Sequence, residues 1–201
     1  MKKIYLILFL LTLAIGIYAQ SGTYTANGVE WKYELNGTEA TITGETQGKD
    51  NFTGILNIPA SIMHGGTSYP VIKIKDNAFL QYEQATGLVL PVGIKMIGNY
   101  SFYRCGGVRG ALNIPNGVTE IGFSAFAYCD KLTGPINFPN TLTSISYQAF
   151  QSCTNLEGTL NLPSSITTIG GHAFQFCEKV TKINIPNSVT TIGDMAFWIL
   201  S

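Results

Sequence analysis

One spacing governs most of the chain. Prolines fall at Pro91, Pro115, Pro139, Pro163 and Pro186, in steps of 24, 24, 24 and 23. Pro59 begins the series with a longer first step of 32. Phenylalanines fall at Phe79, Phe102, Phe126, Phe150, Phe174 and Phe197, in steps of 23, 24, 24, 24 and 23. Cysteines fall at Cys105, Cys129, Cys153 and Cys177, in steps of 24. Several residue types in one phase over six units make a repeat array. Such an array buries its core by stacking each unit on its neighbours.

The unit Leu112-Asn113-Ile114-Pro115-Asn116-Gly117-Val118-Thr119-Glu120-Ile121-Gly122-Phe123-Ser124-Ala125-Phe126-Ala127-Tyr128-Cys129 reads physically. Leu112 and Ile114 alternate around Asn113, as a strand with one buried face does. Pro115 ends that strand because it has no N–H to donate. Val118 and Ile121 point inward across Thr119-Glu120. Gly122 supports a turn, and Ser146 or Lys75 holds its place elsewhere, so a positive φ is not required there. Ala125-Phe126 and Cys129 predict a single short helical turn. The expectation is a β-rich solenoid of six stacked units of about 23–24 residues with short helical turns. Its core would hold one stack of the six phenylalanines. A second row would be Ile74, Ile97, Ile121, Ile145, Ile169 and Ile192. Charged residues at only 12%, with 22 glycines, agree with a turn-rich β body and disagree with a helical bundle.

The repeated strings "LNIPNGVTEIGFSAFAYC" and "INIPNSVTTIGDMAFW" resemble the BspA-type leucine-rich repeat of bacterial and protist surface proteins. The resemblance covers residues 56–201 and implies a leucine-rich-repeat solenoid. Three departures stand out. The first unit carries eight additional residues around His64-Gly65-Gly66-Thr67-Ser68-Tyr69. Four units carry one additional residue before the strand. The last unit stops at Ser201, before a complete turn.

Residues 1–19 read as a signal peptide. Lys2 and Lys3 precede a nearly unbroken apolar run over residues 4–17, and Ile17 and Ala19 suit a cleavage site that leaves Gln20 first. The run is shorter than the roughly 20 residues of a membrane span. The expected localisation is therefore secreted or cell surface, by bacterial export, with no membrane span after cleavage. Residues 20–55 differ from the repeats. Val29-Glu30-Trp31-Lys32-Tyr33-Glu34-Leu35 alternates strictly, Asn36-Gly37 is a two-residue turn signal, and residues 39–43 supply a returning strand. They read as an N-terminal β-hairpin cap over the first coil, with a small ligand-binding module as the other reading.

No catalytic constellation appears, and the expectation is a protein that is not an enzyme, with no cofactor and no metal. The four cysteines lack paired metal-ligand spacing, and Tyr82 and Leu200 hold their place in the other two units. They read as buried free thiols, although neighbouring coils bring them within disulfide range. Lys+Arg and Asp+Glu are equal at 12 each, so nothing draws a nucleic acid.

One polar row remains: Asn57, Asn113, Asn137, Asn161 and Asn184, interrupted by Val89. Stacked, these amides form a ladder. They either bond to one another or, with Lys95, Glu120, Ser144, Thr168 and Thr191 alongside, present a recognition face. The family resemblance implies adhesion, including attachment to host matrix. The expected function is a binding module for a protein or glycan ligand. The alternative is a non-catalytic spacer or assembly element of a larger surface protein. The apolar last unit further implies a fragment of a longer array, or self-association through an open C-terminal end.

Overall fold

The computed structural model describes residues 20–198. The expected signal peptide, residues 1–19, lies outside the described residues, and so do Ile199, Leu200 and Ser201.

Fourteen strands are described, and they begin with a sheet that is not part of the repeat. β1 (Gln20–Ala26), β2 (Val29–Asn36) and β3 (Glu39–Glu45) are antiparallel neighbours. The alternation read at Val29 to Leu35 places Val29, Trp31, Tyr33 and Leu35 on the buried side. β1 adds a strand that the sequence reading left out, turning at Asn27-Gly28, both left-handed. The additional segment of the first unit is a second hairpin, β5 (Ser61–His64) against β6 (Thr67–Ile74). Its turn is Gly65-Gly66, with φ of 56° and 82°, the double left-handed geometry that glycine adopts without strain.

The repeats contribute two rows of parallel strands. The first row comprises β4 (Gly54–Asn57) with β7 (Ala85–Val89), the Asn113–Asn137 bridge, and β11 (Glu157–Asn161) with β13 (Lys179–Asn184). The second row runs from β6 through the two-residue strands β8 (Met96–Ile97), β9 (Glu120–Ile121), β10 (Ser144–Ile145), β12 (Thr168–Ile169) and β14 (Thr191–Ile192). β3 pairs in parallel with β6, so the N-terminal sheet and the second row form one ten-stranded sheet.

Six coils follow, named here by their phenylalanines: Phe79 first, then Phe102, Phe126, Phe150, Phe174 and Phe197. The first five rings are buried, and successive centroids lie 5.2–5.4 Å apart with planes within 13° of parallel. Phe197 continues the stack at 5.8 Å but is only partly buried. The isoleucine row is likewise buried from Ile74 to Ile169, whereas Ile192 is 49% exposed. Trp31 meets Phe79 edge to face at 6.1 Å, so the N-terminal sheet covers the first ring of the stack.

The expected helical turn is absent: among the described residues there is no helix, and the segment around each phenylalanine is a pair of turns. Its backbone N–H groups alternate between two destinations. Ser124, Phe126 and Tyr128 donate to Tyr147, Ala149 and Gln151 of the next coil. Ala125, Ala127 and Cys129 donate three residues back, to Gly122, Ser124 and Phe126. A helix would take every N–H within its own segment, so binding between coils excludes it. Alternation also forces left-handed residues two before and two after the phenylalanine: Ser124 at φ 49° and Tyr128 at φ 61° in this coil. The same pair recurs as Asn77 and Gln81, Tyr100 and Arg104, Gln148 and Ser152, and His172 and Phe176.

Candidate binding surfaces

The asparagine row occupies the first row of strands. Asn113, Asn137, Asn161 and Asn184 are exposed, and Asn57 is half-buried. Asn137 Nδ2 donates to Asn113 Oδ1, and Asn184 Nδ2 donates to Asn161 Oδ1 at 2.6 Å. The Asn57 carbonyl accepts from Asn27 Nδ2 at 3.0 Å. The row is thus joined in pairs, and each pair keeps amide atoms free towards solvent.

Glu120, Ser144, Thr168 and Thr191 lie side by side on the other sheet, in register through β9, β10, β12 and β14. Glu120 and Thr191 are exposed, and Ser144 and Thr168 are half-buried. The two rows therefore belong to separate sheets with the Pro115-Asn116-Gly117 type turn between them. Lys95, beside this second row, is held 3.5 Å from Glu39 of the N-terminal sheet. A threonine column next to it is committed to structure: Thr143, Thr167 and Thr190 hydroxyls each donate to the preceding coil's threonine carbonyl at 3.1–3.2 Å.

The cysteines are free and buried. Each thiol donates to a phenylalanine carbonyl of the preceding coil at 3.2 Å: Cys105 to Phe79, Cys129 to Phe102, Cys153 to Phe126 and Cys177 to Phe150. Burial pushes the Cys105 and Cys177 thiols up to about 12 and holds Cys129 and Cys153 well above the ordinary thiol range. Such thiols are poor nucleophiles and poor ligands. Among the described residues no group of three His, Cys, Asp or Glu side chains is placed to hold a metal ion. His64 Nδ1 pairs with the Tyr33 hydroxyl at 2.7 Å, and His172 Nδ1 with Gln175 Oε1 at 2.8 Å.

A third surface escaped the sequence reading. The turns place Tyr100, Tyr103, Phe123, Tyr128, Tyr147 and His172 in one connected cluster. Tyr147 meets His172, Phe123 meets Tyr147, and Tyr100 meets Phe123, each at 5.1 Å between centroids. Tyr100 continues to Tyr103 at 5.6 Å, and Tyr103 to Tyr128 at 5.4 Å. The Arg104 guanidinium lies over both Tyr103 and Tyr128 at 5.6 and 5.5 Å. Tyr128 and Tyr147 are 38% and 40% exposed. At the Tyr128 end the cluster opens into a groove of about 560 Å³, whose lining includes Glu83, Arg104, Gly106, Tyr128, Asp130 and Lys131. The available signal was aromatic residues at repeat positions where other units carry small or polar ones: Tyr100 against Asn77, Ser124 and Gln148, and Tyr128 against Gln81 and Ser152.

Comparison with known proteins agrees with this geometry. The family model described as "BspA type Leucine rich repeat region" matches six copies over residues 70–200. Among solved structures, a leucine rich cell surface protein of Faecalibacterium prausnitzii is similar at 29% identity with a TM-score of 0.74. That match covers 90% of this chain but 47% of the other, so this chain spans about half of its length. A leucine-rich repeat protein of T. pallidum is similar at 25% identity and TM-score 0.68, covering 85% of this chain and 81% of that one. The pneumococcal vaccine antigen PcpA shares the fold at 18% identity and TM-score 0.51, over 83% of this chain and 50% of that one. No curated protein matches the sequence.

Proposed function

This chain belongs to the BspA-type leucine-rich repeat family, and from that premise we propose that it is an exported, surface-associated binding module and not an enzyme. Residues 1–19 act as its signal peptide, residues 20–55 as the N-terminal cap, and residues 56–201 as the repeat body. The partner is a protein or a glycan, with host matrix proteins as the first class to test.

The observation that carries the reading is the pair of outward rows. Exposed Asn113, Asn137, Asn161 and Asn184 stand along the first row, and Glu120, Ser144, Thr168 and Thr191 along the second, repeated coil after coil on a buried, stacked core. Solenoids offer extended surfaces of this kind to large partners. The surface character in the name of the Faecalibacterium protein supports the same placement for this chain. Exposed Ile185, Ile192, Met195 and Trp198 in the last described coil offer a further docking place, for another repeat or a second molecule.

The mutual Asn137–Asn113 and Asn184–Asn161 bonds favour a second reading, in which the array is a spacer and the amides only tie coils together. Surface plasmon resonance against fibronectin, laminin, collagen and mucin glycans separates the two. Binding that an Asn137→Ala, Asn161→Ala variant abolishes, while its circular dichroism is unchanged, supports recognition through the asparagine row. No binding to any of them supports the spacer.

A further inference from the structure

We propose that the turn surface carrying Tyr128 and Arg104 is a binding site for a neutral oligosaccharide. The proposal deepens the reading of the chain as a binding module and rests on it, but it uses a surface distinct from the asparagine and threonine rows.

The repeat itself supplies the control for the aromatic cluster. Two residues before the central phenylalanine stand Asn77, Tyr100, Ser124, Gln148, His172 and Met195. Two residues after it stand Gln81, Arg104, Tyr128, Ser152 and Phe176. Every one of these positions is left-handed, and the coil closes as well with Asn, Ser or Gln as with an aromatic ring. A bulky side chain is the costlier choice at positive φ. Tyr100 at φ 53° and Tyr128 at φ 61° are therefore placed against local preference. Neither ring belongs to the buried core, and Tyr128, though it touches Tyr103 and Arg104, remains 38% exposed. The left-handed backbone is common to the coils, so what distinguishes this surface is the choice of Tyr100 and Tyr128 beside Tyr103 and Arg104.

The groove has a local cause. The residue after the cysteine place is Glu83, Gly106, Asp130 and Thr154 in successive coils. Only the second coil lacks a side chain there, and a Cβ on Gly106 would stand 2.7 Å from Asp130 Oδ1. The gap lies between the Glu83 and Asp130 carboxylates, beside Arg104, Tyr128 and Lys131. Among the described residues none of these four charged side chains is in an ion pair. Two acids and two bases balance, so the groove has no net field to select a charged ligand.

A pyranose answers this chemistry. Its C–H face carries positive edge charge that suits the face of a tyrosine ring, and its hydroxyls donate to carboxylates and accept from guanidinium and ammonium groups. Tyr128, exposed beside the groove and held edge to face by Tyr103 at 5.4 Å, is the ring placed to meet a sugar face. A proline-rich peptide could use the rings but would leave the four charged groups without partners on desolvation.

Isothermal titration calorimetry of the full chain with maltohexaose, cellohexaose, laminarihexaose, xylohexaose and mannohexaose tests the proposal, with a decaproline peptide alongside. At least one hexasaccharide binds, and its affinity falls at least tenfold in Tyr128→Asn and in Arg104→Ala but not in Lys32→Ala, an exposed position on the N-terminal sheet outside both rows and the groove. Asparagine is chosen because Asn77 occupies a left-handed turn position in the first coil, so the variant keeps its turn. Binding unaffected by Tyr128→Asn and Arg104→Ala overturns the proposal. So does decaproline binding without any sugar binding. Failure of all five sugars overturns it too. If the matrix-protein screen still finds a partner in that case, the binding-module reading survives alone.

Discussion

The Tyr82 hydroxyl donates to the Glu45 carboxylate across 2.7 Å, at the place where the next four coils put a cysteine thiol. Glu45 is 1% exposed and also accepts from the Gln47 and Gly48 amides at 2.6 and 2.7 Å. The first coil is thereby fastened to the last residue of β3. Burial, and after it the bond to Glu45, raises the Tyr82 phenol well above its ordinary value.

Tyr82→Phe removes one of three donors from a buried carboxylate and keeps the ring contacts with Phe52 and Phe79. Hydrogen bonds to charged groups contribute about 1.5–3 kcal/mol, so the variant should lose about that much in urea unfolding at neutral pH. An unchanged midpoint would show that the bond does not fasten the first coil.

The thiol column makes stability fall in alkali. The folded state disfavours the thiolate, so the unfolded chain ionises first as pH rises. Stability is complete below the ordinary thiol pKa of 9.0 and declines from there towards about 12. Unfolding measured at about pH 8 and about pH 10.5 should show this decline, with a smaller one in a Cys129→Ala, Cys153→Ala variant. A thiol reagent should label none of the four in the native protein and all four after unfolding. Rapid native labelling of Cys129 or Cys153 would contradict the assignment.

Gly106 and Gly107 should respond unequally to alanine. A Cβ on Gly107 would stand 2.3 and 2.4 Å from the Glu83 and Ala85 carbonyl oxygens, which are backbone and cannot swing aside. Overpacking of this kind costs about 1–3 kcal/mol. On Gly106 the nearest atom is the end of the Asp130 side chain, which can rotate away. Thermal unfolding should therefore place Gly107→Ala well below Gly106→Ala, and equal midpoints would contradict the packing described at this pair.

The period made the coil legible because burial repeats with it. Phe126, Ile121, Val118 and Cys129 all face inward, and each is 0–1% exposed. What the period could not convey is how the backbone closes. An Ala-Phe-Ala string reads as a helical turn from side-chain spacing, yet Phe126 N–H goes to Ala149 of the next coil. A bond between units leaves no mark on a single unit. The Glu45–Tyr82 contact was hidden for a related reason, since it joins residues 37 apart, one in the N-terminal sheet and one in the array. The asparagine row was visible as a spacing, but its pairing was not, because pairing depends on side-chain rotation within each strand pair. The aromatic cluster went unseen because its members are spread over four repeat positions. Tyr100 and Tyr128 share no column, and only the turn geometry brings them near Tyr103.

Each coil divides its residues between a stacked core and an outer surface. Phe126 and Tyr128 test it directly, two residues apart in one turn and 1% and 38% exposed. Equilibrium urea unfolding of Phe126→Ala and Tyr128→Asn, measured side by side, should separate them. Phe126→Ala should lose about 3–5 kcal/mol, as buried aromatics do. Tyr128→Asn should stay within about 1 kcal/mol of the parent, because asparagine relieves the left-handed strain as the ring contacts are lost. A Tyr128→Asn loss as large as that of Phe126→Ala would make the ring part of the core and contradict the claim.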